Sequence, residues 1–403
     1  MKENKWYRIR HKIIQNLAVP PMRLFLRIKE GFIPSKFEIP EGPVLIISNH
    51  VTTFDPFYIG LSLPRPAYYV ITDDVVSRKF VGPLLQYAIH PIPKTKSISD
   101  YRCVRSIMSV LKEGRRVVMF PEGNRTYDSS LCHVDYSIAK LAKVLKVPLV
   151  IMNIIGGYGV DPRWSKDYRR GPVSCRLRHV MMPNEIESYG TKDLYDKIIN
   201  FLTIPSISEN KATYKSKNAA EYLERYLFRC PSCGAVQTLH TKKDEIFCSE
   251  CGLTERYENN LSFTTIKGDI NVKNVKEWAK LDTEWLCSLK ITKEDRPIFK
   301  DENVHLLQVI KMVKKISIIK NGTITGYQDR IVFQDNVRTF VLYYEDIRNG
   351  CAVLKHNANF YVGDTIYLVK GDKRFNSFKY VELMHHFSNI QNNPKEKTEY
   401  LGI

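Results

Sequence analysis

The chain contains no apolar run long enough to cross a membrane as a helix. A spanning helix needs about 20 predominantly apolar residues, whereas the best candidate, residues 13–28, is interrupted by prolines and arginines. The basic N-terminus also lacks the continuous apolar stretch and small-residue cleavage site of a secretory signal. We therefore expect a cytoplasmic protein which, if it meets a membrane, lies peripherally on the inner face.

The sequence also lacks a disulfide pattern, internal repeats and low-complexity tracts. Its nine cysteines are odd in number and accompany no export signal, which favours a reducing compartment. Acidic residues are the minority: 61 Lys and Arg stand against 43 Asp and Glu, a net charge of +18. This excess predicts an anionic partner, either nucleic acid, an anionic membrane surface or a phosphorylated substrate. A length of 403 residues predicts two or three domains.

Residues 1–37 form a basic segment with helical periodicity. Trp6, Ile9, Ile13 and Leu17 recur at helical spacing, and the Pro20-Pro21 pair is expected to end this helix. Apolar side chains flanked by cations suit a helix that lies in a membrane surface. The same periodicity suits a helix packed on the protein body, so both interpretations stay open.

Residues 38–190 alternate short apolar runs with helical stretches. The predicted strands are 44–47, 67–71, 117–120 and 147–155, and the predicted helices are 100–112 and 135–145. Strand and helix in alternation predict an α/β domain, with a mixed sheet covered by helices. Functional residues of such sheets usually follow the strands.

Two polar motifs follow predicted strands. The first, Asn49-His50-Val51-Thr52-Thr53-Phe54-Asp55, offers a histidine as a general base and a carboxylate that orients its ring. The second runs from Phe120 to Thr126 and reads FPEGNRT.

The second motif combines groups that suit an anionic ligand. Gly123 permits close backbone approach, Arg125 offers a planar fork for phosphate oxygens, and Thr126 offers a hydroxyl. Glu122 is expected to orient the arginine or to contact an acceptor hydroxyl. Taken alone, the first motif is better explained as a surface pair at a turn, and the second is equally well explained as a loop with an ion pair.

Together, and in this order, the motifs resemble those of the glycerolipid acyltransferases, the family of the 1-acylglycerol-3-phosphate acyltransferases. Their signatures are Asn-His-x4-Asp and Phe-Pro-Glu-Gly-x-Arg-Ser/Thr, and Asn124 stands here where Thr is common. Lys94 occupies the place of a family arginine between the two motifs, and Ile151 replaces the second proline of a later block. The resemblance covers roughly residues 40–185.

This resemblance implies an acyltransferase of phospholipid biosynthesis. His50 and Asp55 would be the catalytic pair, and the substrate contacts would be Lys94, Glu122, Gly123, Asn124, Arg125 and Thr126. The implied donor is acyl-CoA or acyl carrier protein, and the implied acceptor is a lysophosphatidic-acid-type lipid. Acylation of another lysophospholipid or of glycerol 3-phosphate is the alternative.

A third pattern consists of two Cys-x-x-Cys pairs, each followed by glycine: Cys230 and Cys233, then Cys248 and Cys251. This spacing is typical of a zinc ribbon, here predicted over residues 229–258, in which four thiolates bind a structural zinc ion. A redox role is the minor alternative. The ribbon is also a candidate surface for an unknown protein partner.

The rest of the chain is assigned by periodicity. Residues 191–228 are predicted as a helical linker, and residues 285–392 as a small β-rich domain that resembles a pleckstrin-homology barrel closed by a final helix. A zinc-ribbon nucleic-acid-binding protein is the alternative from another class. We do not favour it, because it leaves both motifs of the first domain unexplained.

Overall fold

The computed structural model describes residues 6–63, 66–76, 79–94, 100–204, 212–310, 314–353 and 355–392. These residues group into two compact units. The first unit comprises residues 1–162 and 168–214, and the second comprises residues 163–167 and 215–403. Among the described helices, none has the length and apolarity that crossing a bilayer requires.

The first unit is built on a six-stranded sheet. Its strands are β1 Val44–Ser48, β2 Ala67–Thr72, β3 Ile92–Lys94, β4 Arg116–Met119, β5 Leu149–Ile155 and β6 Ser174–Met181. Their order is β3-β2-β4-β1-β5-β6, and all neighbours are parallel except the β5–β6 pair. The central strand β1 is buried along its whole length, as expected for a parallel strand covered on both faces.

Nine described helices accompany this sheet. They are α1 Ile9–Glu30, α2 Asp55–Ser62, α3 Asp73–Val76, α4 Val81–Ala88, α5 Tyr101–Lys112, α6 Ser137–Leu145, α7 Gly157–Val160, α8 Pro183–Ser188 and α9 Thr191–Leu202. Helix α5 shows why they form: Asp100 caps its N-terminus, and Cys103, Ile107, Val110 and Leu111 bury one face. The predicted mixed α/β sheet is confirmed.

The prediction that Pro20-Pro21 ends the first helix was wrong. Helix α1 continues through both prolines to Glu30 and ends at Gly31, which adopts a left-handed conformation with φ 80°. A proline inside a helix removes one backbone hydrogen bond and frees a carbonyl. Both prolines are exposed, so the carbonyls that lose their partners lie on the side open to water.

The second unit contains a small four-stranded antiparallel sheet, and one of the four predicted metal ligands, Cys248, ends its second strand. Its strands are β7 Leu239–Lys242, β8 Glu245–Cys248, β9 Thr254–Tyr257 and β10 Phe263–Lys267, followed by α10 Val275–Ser288. The prediction of helix over 191–228 is correct only for α9. Residues 212–228 contain a 3-10 turn at Leu223–Arg225 but no α-helix, because Ala220, Leu223 and Leu227 bury their side chains in an irregular segment.

A seven-stranded antiparallel sheet and a terminal helix complete the second unit. The strands are β11 Phe299–Ile310, β12 Lys314–Gly326, β13 Arg330–Gln334, β14 Thr339–Tyr343, β15 Ile347–Val353, β16 Asn357–Val362 and β17 Thr365–Lys370, and the helix is α11 Phe378–Asn392. The sheet order β14-β13-β12-β11-β17-β16-β15 confirms the predicted β-rich domain. The Asn-Gly pairs 321–322 and 349–350, a dipeptide typical of turns, lie inside β12 and β15, and the strand pairing shifts register nearby.

Candidate active site

Three neighbouring parallel strands deliver the site residues to one edge of the sheet. Strand β1 lies between β4 and β5, and both pair with it in parallel. The first motif follows β1, the second follows β4, and the loop after β5 carries Asp161. The carboxyl ends of parallel strands lie at the same edge, so these three loops meet there.

His50 and Asp55 form a direct contact. His50 Nδ1 lies 2.7 Å from Asp55 Oδ2, and the carboxylate is completely buried while about a fifth of the imidazole is exposed. The imidazole stacks on Phe120 of the second motif, with ring centroids 4.5 Å apart. Because Asp55 occupies Nδ1, the other ring nitrogen, Nε2, is the one available for proton transfer.

The Asp55 carboxylate is held by the turn that it closes. It accepts hydrogen bonds from the backbone N–H of Val51 at 2.6 Å, from Thr52 N–H at 3.0 Å and from Thr52 Oγ1 at 2.8 Å. Asn49 fixes the same loop to β5, since its side-chain amide pairs with both backbone groups of Ile154. The positions of His50 and Asp55 are therefore set by hydrogen bonds within their own turn and by the link from Asn49 to β5.

The buried side chain of Glu122 links the loops of the two motifs. Its carboxylate accepts the backbone N–H of His50 at 2.5 Å and that of Cys132 at 2.6 Å. Burial raises the pKa of Glu122 to about 8, although the two N–H groups act in the opposite direction. The backbone N–H of Thr126 donates to the His50 carbonyl at 3.0 Å, so the loops are linked twice.

Arg125 forms an ion pair with Asp161, a residue that sequence reasoning missed. Arg125 Nη1 lies 2.8 Å from Asp161 Oδ2, and the same oxygen accepts from the backbone N–H and the hydroxyl of Thr53. Asp161 thus holds a residue of each motif at once. The only sequence signal for it was its place shortly after the fourth predicted strand, residues 147–155.

The other residues predicted to contact the substrate differ in burial and in their neighbours. Gly123 has φ 67°, and a Cβ atom at this position would meet none of the described residues within 4 Å, so glycine is needed there for conformation rather than for space. Asn124 is half-buried and Thr126 is buried. Lys94 ends β3 beside Asp135, whose pKa is lowered by hydrogen bonds from Ser137 and, to a smaller extent, by the Lys94 charge.

A small cavity lies next to the imidazole. His50, Glu122, Ser129, Ser130 and Leu131 are among the residues that line it. Serine residues therefore line the cavity together with His50, and apolar residues near the end of α9 complete its wall.

The four predicted metal ligands converge in the second unit. The Sγ atoms of Cys230 and Cys251 are 3.7 Å apart, those of Cys233 and Cys248 are 3.8 Å apart, and all four lie within 4.8 Å of one another. A tetrahedral zinc ion with Zn–S bonds of about 2.3 Å would hold sulfur atoms about 3.8 Å apart. The four cysteines therefore fit a tetrahedral metal ion.

Comparisons with known proteins show which family this part of the chain resembles. Residues 28–155 match the model of the Acyltransferase family. A 1-acyl-sn-glycerol-3-phosphate acyltransferase of Chlamydomonas reinhardtii is 22% identical over 193 residues, which are 45% of this chain and 55% of that protein. A chloroplastic enzyme of the same name from Arabidopsis thaliana is 28% identical over 28% of this chain and 32% of its own length.

Among solved structures, the 1-acyl-sn-glycerophosphate acyltransferase PlsC of Thermotoga maritima is similar at a TM-score of 0.38 and 15% identity, over 48% of this chain and 78% of its own. The match covers a little over half the length of the Chlamydomonas protein and about a third of the Arabidopsis protein. Residues 28–155 are thus a domain of the acyltransferase family. The resemblance to the glycerolipid acyltransferases is confirmed.

Proposed function

We propose that the first unit transfers a fatty acyl group from a thioester donor to the free hydroxyl of a 1-acylglycerol-3-phosphate-type acceptor. The observation that carries this proposal is the contact between His50 Nδ1 and the buried Asp55 carboxylate, beside the loop that holds Arg125. The donor is acyl-CoA or acyl carrier protein, since both present an acyl thioester. Another lysophospholipid or glycerol 3-phosphate is the alternative acceptor.

In this reaction His50 is the general base. Its Nε2 removes the proton of the acceptor hydroxyl while the hydroxyl oxygen attacks the thioester carbonyl carbon. The tetrahedral intermediate then collapses, the carbon–sulfur bond breaks, and the proton passes to the leaving thiolate. Asp55 stabilises the imidazolium formed in between, and no acyl-enzyme is required because the thioester is already activated.

The second motif would bind the acceptor phosphate. Arg125 supplies a guanidinium close to the catalytic loop, and the open space beside Gly123 leaves room for a ligand to approach the backbone. Asn124 and Thr126 add polar groups, and Lys94 adds a positive charge at the end of β3. We assign Glu122 a positioning role, because both of its oxygens hold backbone groups of the loops.

We also propose that helix α1 binds an anionic membrane surface. Ile9, Ile13, Leu17, Leu24 and Ile28 are each at least half exposed, and their spacing of four and seven residues places them on one face. The cations Lys12, Arg23 and Arg27 of the same helix are exposed, while its one acidic residue, Glu30, is buried. Such a helix lies in the interface with its apolar side toward the acyl chains.

For the second unit we propose a structural zinc ion bound by Cys230, Cys233, Cys248 and Cys251. Four thiolates fill a tetrahedral coordination sphere, so the ion would stabilise the fold and leave no position open for substrate. The surface around this site remains our candidate for a protein partner.

Substitution of His50 tests the proposed reaction. Purified His50→Ala should lose acyl transfer from labelled acyl-CoA to 1-acylglycerol-3-phosphate, while its circular dichroism and melting temperature stay close to those of the wild type. The control is His240→Ala, which removes an exposed imidazole from the second unit. If the His50 variant keeps more than a few per cent of wild-type activity, His50 is not the base.

A further inference from the structure

Lys29, in the last turn of α1, points its ammonium group at three aromatic rings. Its Nζ lies 3.6 Å from the ring centroid of Tyr168, 4.9 Å from that of Phe54 and 5.0 Å from that of Phe25. The Phe54 ring contacts both other rings, with centroids 5.7 Å apart in each pair. We call Phe25, Phe54 and Tyr168 the three-ring cluster.

This cluster adjoins the catalytic loop. Phe54 directly precedes Asp55, and the Tyr168 hydroxyl forms a hydrogen bond with the side chain of Thr53. Thr53 in turn donates to Asp161, the counter-ion of Arg125. A short chain of polar contacts therefore connects the ring under the Lys29 ammonium with the Arg125 ion pair.

Arg125 and Lys29 differ in how much of their positive charge is already neutralised by a carboxylate. Arg125 shares its charge with Asp161 at 2.8 Å. No carboxylate of the described residues forms an ion pair with Lys29, and its neighbour Glu30 is buried against the Tyr58 hydroxyl. Aromatic faces attract an ammonium group but accept no strong hydrogen bond from it, so the N–H donors of Lys29 stay available.

We propose that Lys29 is a second cation for the phosphate of the acyl acceptor, held in place by the three-ring cluster. This inference rests on the proposed function and narrows its substrate class to acceptors that carry a phosphate monoester. A phosphate monoester carries a charge of about −1.5 to −2 near neutral pH. Arg125 alone, paired with Asp161, leaves much of this charge uncompensated, and Lys29 supplies the missing positive charge.

A simpler role for Lys29 would follow from its position in the helix. A cation in the last turn stabilises the helix dipole, and a lysine stem often covers apolar rings. That role predicts a change in stability and no change in acceptor affinity, so the two roles are separable.

The experiment compares Lys29→Met, Lys29→Arg and Lys112→Met with the wild type. Methionine keeps an unbranched apolar stem against the rings, arginine keeps the charge, and Lys112 is an exposed lysine in the last turn of α5. Acceptors are 1-acylglycerol-3-phosphate and 1-acylglycerol in detergent micelles, with acyl-CoA as donor. Binding of 1-acylglycerol-3-phosphate without donor is measured by equilibrium dialysis.

We expect Lys29→Met to raise the KM and the Kd for the phosphorylated acceptor about tenfold, the effect of losing one partly exposed charge-assisted contact. The kcat, the KM for acyl-CoA, the melting temperature and the KM for 1-acylglycerol should stay within about twofold. Lys29→Arg should recover most of the affinity, and Lys112→Met should behave as the wild type.

The inference is overturned if Lys29→Met leaves the Kd for 1-acylglycerol-3-phosphate unchanged, or if Lys112→Met raises it equally. It is also overturned if Lys29→Met improves the use of a choline-bearing lysophospholipid, because the three-ring cluster would then be a site for the acceptor's own ammonium group. Absence of transfer by the wild type to any acceptor would refute the proposed reaction. The Kd comparison would still decide the role of Lys29.

Discussion

Replacing Asp55 by asparagine separates the electrostatic role of this residue from its structural role. Asp55 Oδ2 accepts hydrogen bonds from His50 Nδ1, Val51 N–H and Thr52 N–H, while Oδ1 is close to Thr52 N–H and Thr52 Oγ1. An asparagine with its oxygen at the Oδ2 position keeps the first three contacts. Its amide N–H can donate to Thr52 Oγ1, whose hydroxyl hydrogen can turn away.

The expected cost in stability is therefore small. Loss of charge assistance in these buried hydrogen bonds should lower the free energy of unfolding by about 1–2 kcal/mol. For a unit of about 200 residues this corresponds to a fall in melting temperature of roughly 2–8 °C.

The expected cost in rate is much larger. With charge centres about 4 Å apart and an effective dielectric constant of about 20, the attraction between carboxylate and imidazolium is about 4 kcal/mol. Because the imidazolium forms only during proton transfer, most of this energy is lost from the transition state. The kcat should fall by roughly 10³.

The assay measures acyl transfer from labelled acyl-CoA to 1-acylglycerol-3-phosphate at saturating concentrations, together with thermal unfolding followed by circular dichroism. Asp100→Asn is the matched control, because Asp100 caps α5 through two backbone N–H groups and asparagine caps helices equally well. An Asp55→Asn enzyme with activity within tenfold of the wild type would refute the reasoning. So would an inactive variant that no longer folds.

Three further predictions concern the metal site, the ion pair and pH. Wild-type protein should contain about one zinc per chain by mass spectrometry, and Cys248→Ser should lose zinc and melt at lower temperature; clearly less than one zinc per wild-type chain would contradict the site. Asp161→Asn should lower the free energy of unfolding in urea by about 1–3 kcal/mol, because the partly buried Arg125 loses its counter-ion; a change below about 0.5 kcal/mol would contradict this. The folded protein holds the Glu122 proton up to a pKa of about 8, whereas the unfolded chain loses it near its ordinary value of 4.5. Stability should therefore fall as pH rises between these values, and Glu122→Gln should flatten this part of the melting-temperature profile; equal slopes in both proteins would contradict the raised pKa.

The tertiary structure differs from the sequence-based prediction where long-range contacts outweigh local preference. Pro20 and Pro21 predicted the end of a helix, yet α1 passes through them. Both halves of α1 pack on the body, since His11, Leu26 and Glu30 are buried. Strand β11 and helix α10 were not predicted. The long strand β11 bends through several register shifts, so its polar and apolar residues do not alternate cleanly.

By itself, the sequence determined the chemistry available to this protein. The strands of the first sheet appear as short runs of β-branched and apolar residues, and the two motifs and the cysteine spacing are local patterns that need no knowledge of the fold. The order of the strands is different, because it depends on which apolar faces pack together over the whole domain. That order, with β1 between β4 and β5, decided that Asp161 would pair with Arg125 and that Glu122 would point inward to the His50 loop.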